Sequence, residues 1–180
     1  MKYGWVIALL VLVAGLASAG GQLELVEPTD AGDGFKRVEV EGVIVDWRVN
    51  GETIAVRMEA PTTGWVSIGF DPARIMQDAN MIMVAVTDEG VQAEDHFGTG
   101  RIRHAPDTEL GGSSDILSVD ATEADGRTEV TFSIPLNSGD VYDRVLRPGT
   151  VHSFIVAYGK QDDDDFGSYH DYAGGFQAEL

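Results

Sequence analysis

The sequence predicts an all-β fold, an antiparallel immunoglobulin-like β-sandwich of about nine strands. Short runs in which apolar and polar residues alternate recur along most of the chain. Turn residues separate them at regular intervals, with 22 Gly and 6 Pro among 180 residues. No segment sustains the 3.6-residue apolar period of an amphipathic helix.

In chain order, Lys2 precedes an apolar run from Trp5 to Leu16, and Ala17-Ser18-Ala19 follows. A basic start, an apolar stretch and an A-x-A site predict a secretory signal peptide over residues 1–19. The stretch falls short of the about 20 apolar residues that a membrane span needs. Residues 20–34, rich in Gly and Asp, read as a flexible leader, and residues 35–180 as the sandwich. Residues 43–49 alternate, Asn50-Gly51 supplies a hairpin turn, and 53–58 is the return strand. Residues 64–70 form the next strand. Residues 81–86 are almost continuously apolar, as in a strand buried on both faces. Further strands are expected at 91–97, 116–120, 128–134, 151–158 and 176–180, with a hairpin turn at Ala124-Asp125-Gly126-Arg127. Asp162-Asp163-Asp164-Asp165 is an acidic run in the loop before the last strand.

Charge narrows the function. Thirty acidic against 12 basic residues give a formal charge of -18, which excludes a phosphate-binding surface for nucleic acid and disfavours an anionic membrane. With no Cys, disulfides, zinc-thiolate sites, iron–sulfur clusters and covalent c-type heme are excluded. The four histidines, His96, His104, His152 and His170, show no HExxH or comparable spacing, and no nucleophile elbow is present. The expectation is therefore a protein that is not an enzyme. It is exported, to the periplasm, cell surface or medium, and has no membrane span once the signal is removed.

Two residues stand out by position. Met76 lies in a turn-like segment between strands, and His170 in the loop leading to the final strand. A Met and a His from distant loops are an axial pair that holds heme iron six-coordinate. The bland readings are a gap-filling Met and a surface His. His104 reads as exposed, His96 as structural or flanking a site, and His152 as a fallback ligand on a strand rim. Trp47 and Trp65 read most simply as core, although exposed indoles would stack on a sugar ring or a heme face.

Several segments in order resemble the DOMON family. They are Thr62-Thr63-Gly64-Trp65-Val66-Ser67-Ile68-Gly69-Phe70, Met76-Gln77-Asp78-Ala79-Asn80-Met81, Glu94-Asp95-His96-Phe97-Gly98-Thr99-Gly100, Ile134-Pro135-Leu136-Asn137-Ser138-Gly139-Asp140 with Tyr142-Asp143, and Ala157-Tyr158-Gly159 with Tyr169-His170. The resemblance covers about Val43 to Leu180 and implies a β-sandwich. In the family's cytochrome branch it implies heme b held by Met76 and His170, with Trp65 and Tyr169 lining the pocket. A single-electron carrier of that kind needs a separate redox partner with a basic docking face. The alternative the resemblance allows is a non-redox module of the same fold, binding a carbohydrate or small ligand or serving in adhesion. Two positions depart from the family. Asp171-Tyr172-Ala173-Gly174 replaces an H-x-x-R-G ending, so the Arg is missing, and Asn80 stands where the family has Asp. Some members bind a cation near that step, which makes Asp78, Asn80, Asp95 and Asp115 the candidate ligands for a divalent ion.

Overall fold

The structure is a computed structural model that describes residues 22–180, so the expected signal peptide lies outside the described residues. Among the described residues, twelve strands form two antiparallel six-stranded sheets. In chain order they are β1 (Thr29–Gly32), β2 (Phe35–Val40), β3 (Val43–Asn50), β4 (Thr53–Ala60), β5 (Val66–Phe70), β6 (Asn80–Thr87), β7 (Gly90–Gly100), β8 (Arg103–Pro106), β9 (Ser118–Ala124), β10 (Arg127–Pro135), β11 (Val151–Tyr158) and β12 (Tyr172–Glu179). One helical turn, α1 (Asp107–Leu110), follows β8. The first sheet runs β1-β2-β3-β4-β10-β9 and the second β12-β11-β5-β6-β7-β8.

Period-two patterning builds the core. Val43, Val45 and Trp47 on β3 and Ile54, Val56 and Met58 on β4 turn inward, all nearly inaccessible to solvent. They meet Ile68 and Phe70 of β5, Ile82 and Val84 of β6, and Phe154 and Phe176 of β11 and β12. Trp47, Phe154 and Phe176 stack in series, with ring centroids 5.2 Å and 4.8 Å apart. Burying each such ring contributes about 2–3 kcal/mol. The Asn50-Gly51 hairpin forms, with Gly51 at φ 63 and Asn50 paired with Thr53. Asp125 and Gly126 both adopt positive φ, the geometry a tight turn between right-twisted strands requires.

β6 is covered on both faces. Ile82 and Val84 join the main core, while Met83 and Ala85 pack outward against Trp65, Ala157 and Phe166. Phe166 belongs to the 159–171 segment, which folds back over the outer face of the second sheet. Gly159 and Asp163 anchor it by backbone hydrogen bonds to Trp65.

The leader expected at 20–34 differs from what its described part shows. Leu25 bridges to Gln177, and β1 pairs with β2. Backbone hydrogen bonds dock this stretch on the sheet edges without an apolar pattern.

At the far end of β5, Asp71 sits at φ 47 and ties β5 to β11. Its carboxylate accepts from the Ser153 N–H at 2.9 Å and lies 2.7 Å from His152 Nδ1. That hydrogen bond outweighs burial and raises the His152 pKa. A His with a raised folded-state pKa contributes stability below its unfolded pKa and loses it as pH rises through the folded value. Asp71→Ala is expected to cost about 1–2 kcal/mol in urea denaturation. The cost should be larger near about pH 6 than near about pH 9; a pH-independent loss would remove the charge-assisted pair from the explanation.

Candidate metal centre

Where the second sheet meets the edge of the first, four polar side chains converge. β7 turns Asp95 inward, in register with Ile82. Asn80 opens β6 on that same inner face. Asp107 begins α1, and Asp143 comes from the turn after β10. Asp95, Asn80 and Asp107 are 3%, 4% and 0% exposed. Oxygens of Asp95, Asp107 and Asp143 all lie within 4.8 Å of one another.

The surrounding backbone is built to hold them. Asp115 N–H donates to Asp95 Oδ2 at 2.9 Å, and Asn80 Nδ2 donates to Asp143 Oδ1 at 2.6 Å. Asp140 accepts from Ser113 N–H and from Tyr142 N–H. Tyr142 in turn donates to Leu110 O at 2.8 Å. The 107–115 loop and the 140–143 turn are thereby clasped together. A Cβ on Gly112 would meet the Asp140 carboxylate at 2.7 Å, so the close approach requires glycine.

What the clasp leaves unsatisfied is informative. Asp95 Oδ1, both Asp107 oxygens and Asn80 Oδ1 are buried with no hydrogen-bond partner. Stranding one such acceptor costs about 1–3 kcal/mol, a cost that a bound cation would offset. Burial, followed by repulsion from neighbouring acids, raises the carboxyls to about 8 for Asp95 and about 7 for Asp107. Burial is also the main cause for Asp143, raised to about 6. A hard dication answers every one of these observations. Calcium takes oxygen ligands at about 2.3–2.6 Å, so oxygens on opposite sides of it stand about 5 Å apart. The oxygens of this group fall within that span.

Of the residues picked from sequence for a cation, Asp95 and Asn80 stand in the cluster and Asp115 at its rim, its carboxylate against Asp143. Asp78 does not join them; it turns to Arg144 at 3.9 Å. Asp107 and Asp143 were missed as ligands, although Tyr142-Asp143 lies in a quoted motif segment.

The expected heme ligands Met76 and His170 stand on two different loops. β5 pairs Phe70 with Phe154 and Val66 with Tyr158. The loop carrying Met76 leaves β5 past Phe70, whereas the segment carrying His170 leaves β11 past Tyr158. The two therefore depart from opposite ends of β5, about 13 Å apart along the strand. His170 is exposed and Met76 half-buried. Trp65 is buried, its Nε1–H donating to Ser168 Oγ at 2.9 Å, and Tyr169 is 80% exposed. The open cleft on the outer face of the second sheet, about 480 Å³, is lined by Gln92, Glu94, His96, His104, Asp164 and Asp165 among others. Neither Met76 nor His170 lines this cleft. His152 is unsuited as a fallback ligand, because Asp71, Thr150 and Arg147 engage both ring nitrogens.

Comparison with known proteins places this geometry. The DOMON domain profile matches residues 39–159. DBH-like monooxygenase protein 1 of Mus musculus is 31% identical over 126 residues, covering 69% of this chain and 20% of the relative. The Homo sapiens protein of that name is 28% identical over the same length. The chain thus spans about a fifth of those relatives' length. Among solved structures, the cytochrome domain of Myriococcum thermophilum cellobiose dehydrogenase superposes with a TM-score of 0.57 at 11% identity, covering 85% of this chain and 87% of that one. The cytochrome b domain of pyranose dehydrogenase from Coprinopsis cinerea gives 0.56 at 9% identity, covering 79% and 80%. These structures share the β-sandwich fold, and with the profile match and the ordered motifs the conclusion is plain: this chain belongs to the DOMON domain family.

Proposed function

We propose that this chain is a calcium-loaded DOMON domain of an exported protein, a binding module and not an enzyme. One observation carries the reading: carboxylate oxygens of Asp95, Asp107 and Asp143 lie within 4.8 Å of one another, and buried oxygens of Asp95, Asp107 and the adjoining Asn80 have no hydrogen-bond partner. Bound calcium would neutralise the three carboxylates and pin the 107–115 loop and 140–143 turn to β6 and β7. Export is supported by the A-x-A segment at Ala17-Ser18-Ala19. Among the described residues no helix is long and apolar enough to cross a membrane. Isothermal titration of the chelator-treated protein with calcium is expected to show one equivalent bound. Saturation without heat or thermal shift would overturn the reading.

The fold likeness to cytochrome b domains keeps a second reading, a b-type heme on Met76 and His170, with electrons passed to a basic partner protein. It requires both loops to move onto a common iron. We expect no heme uptake and no reduced α band on dithionite treatment. A low-spin b-type spectrum that changes in Met76→Ala would replace the binding-module reading with the cytochrome one.

A further inference from the structure

We propose that the outer face of β7 and β8 carries a second metal site of different chemistry, a two-histidine site for Zn²⁺ or Cu²⁺ formed by His96 and His104. It is independent of the calcium reading and lies on the opposite face of β7 from Asp95.

Strand alternation builds it. Asp95 points inward, so Glu94 and His96 point outward from β7. His96 is opposite Pro106 in the β7–β8 register, which makes His104 its diagonal neighbour on the same face. Their Nδ1 atoms lie 2.8 Å apart. Two imidazole nitrogens bound to one ion at about 2.0–2.1 Å, with an angle between about 90° and 110°, stand about 2.9–3.4 Å apart. A metal would replace this hydrogen bond: His104 would carry its proton on Nε2, and the two Nδ1 atoms would part by a few tenths of an ångström.

The proton on His96 is also set. Glu94 Oε2 lies 2.7 Å from His96 Nε2, so Nε2 keeps its hydrogen and Nδ1 presents a lone pair. A carboxylate behind a metal-binding imidazole fixes its tautomer in this way and raises its basicity. His96 is 4% exposed and cannot swing away.

The remaining coordination positions open into the cleft that His96 and His104 line together with Asp164, Asp165 and Phe166. Asp164 Oδ1 is buried there without a hydrogen-bond partner. Nitrogen donors with carboxylate and water suit zinc or copper, whereas the all-oxygen group inside the sandwich suits calcium. One strand would then sort two classes of ion onto its two faces.

The test is zinc titration calorimetry on untagged, calcium-saturated full-length protein. One equivalent of zinc is expected. His104→Gln should abolish binding, Glu94→Gln should weaken it about tenfold, and His170→Ala should leave it unchanged. Asp107→Asn should lose the calcium response and keep zinc. Because His96 is buried, copper electron paramagnetic resonance on the wild type supplies a readout free of folding defects, with hyperfine coupling expected from two imidazole nitrogens. Absence of zinc uptake, wild-type affinity in His104→Gln, or a copper spectrum without nitrogen coupling would overturn the proposal.

Discussion

Calcium is expected to raise the unfolding temperature of the chelator-treated protein, and Asp107→Asn to remove that rise. An ion that binds only the folded state at a hundred times its dissociation constant stabilises by about 2.7 kcal/mol. For a domain of this size that corresponds to about 5–10 °C. The pH dependence has a definite sign. Asp95, Asp107 and Asp143, at about 8, 7 and 6, hold their protons more tightly folded than unfolded. The cation-free fold is therefore favoured at low pH and loses stability as pH rises from the ordinary carboxylate range through those values. Calcium replaces the protons, so its effect should be larger near about pH 8 than near about pH 5.5. Asp107→Asn also removes one buried charge. Without calcium near about pH 8 the variant should be at least as stable as wild type, which a purely structural Asp would not allow. Differential scanning calorimetry checks both statements, and a calcium shift that survives the substitution would refute them.

Gly98→Ala is expected to destabilise by about 3 kcal/mol or more. A Cβ at Gly98 would lie 1.7 Å from Met76 O and 2.7 Å from its carbonyl carbon. No side-chain rotation relieves a collision with backbone. The 71–79 loop is tied down here, with Asp78 N–H donating to Gly98 O and Gly98 N–H to Ala79 O. It is already tightly wound, carrying Asp71, Ile75 and Asp78 at positive φ. Displacing it also displaces Asn80, so calcium affinity should fall with stability. Gly100→Ala is the control, since a Cβ there meets only Arg103 Cβ, at 3.9 Å. Equal urea midpoints for the two variants would defeat the argument.

The central strands were legible in the sequence because one face of each is buried, which imprints period-two alternation on 43–58 and 128–134. The continuous apolar run at 81–86 reads as a doubly covered strand, and β6 is one. The edges left no such imprint. β1 is nearly all exposed, and β8 is Arg103-His104-Ala105-Pro106; backbone pairing with few apolar contacts holds both. On β2 the buried residues Phe35 and Val38 stand three apart, which breaks the alternation. The metal centre was half legible. Asp95 and Asn80 occupy motif positions, but picking Asp107 and Asp143 from 30 acidic residues requires knowing which loops meet. The pairing of Met76 with His170 rests on loop position and on the family motifs, whereas the strand register that sets where those loops leave β5 and β11 is not written in the sequence.

The 159–171 segment that roofs β6 turns two indoles into optical gauges set at different depths. Trp65 lies just under that roof, hydrogen-bonded to Ser168, while Trp47 lies in the aromatic stack between the sheets. Lifting the roof would wet the first indole and leave the second dry, and a red-shifted component of the emission would then mark local opening ahead of global unfolding.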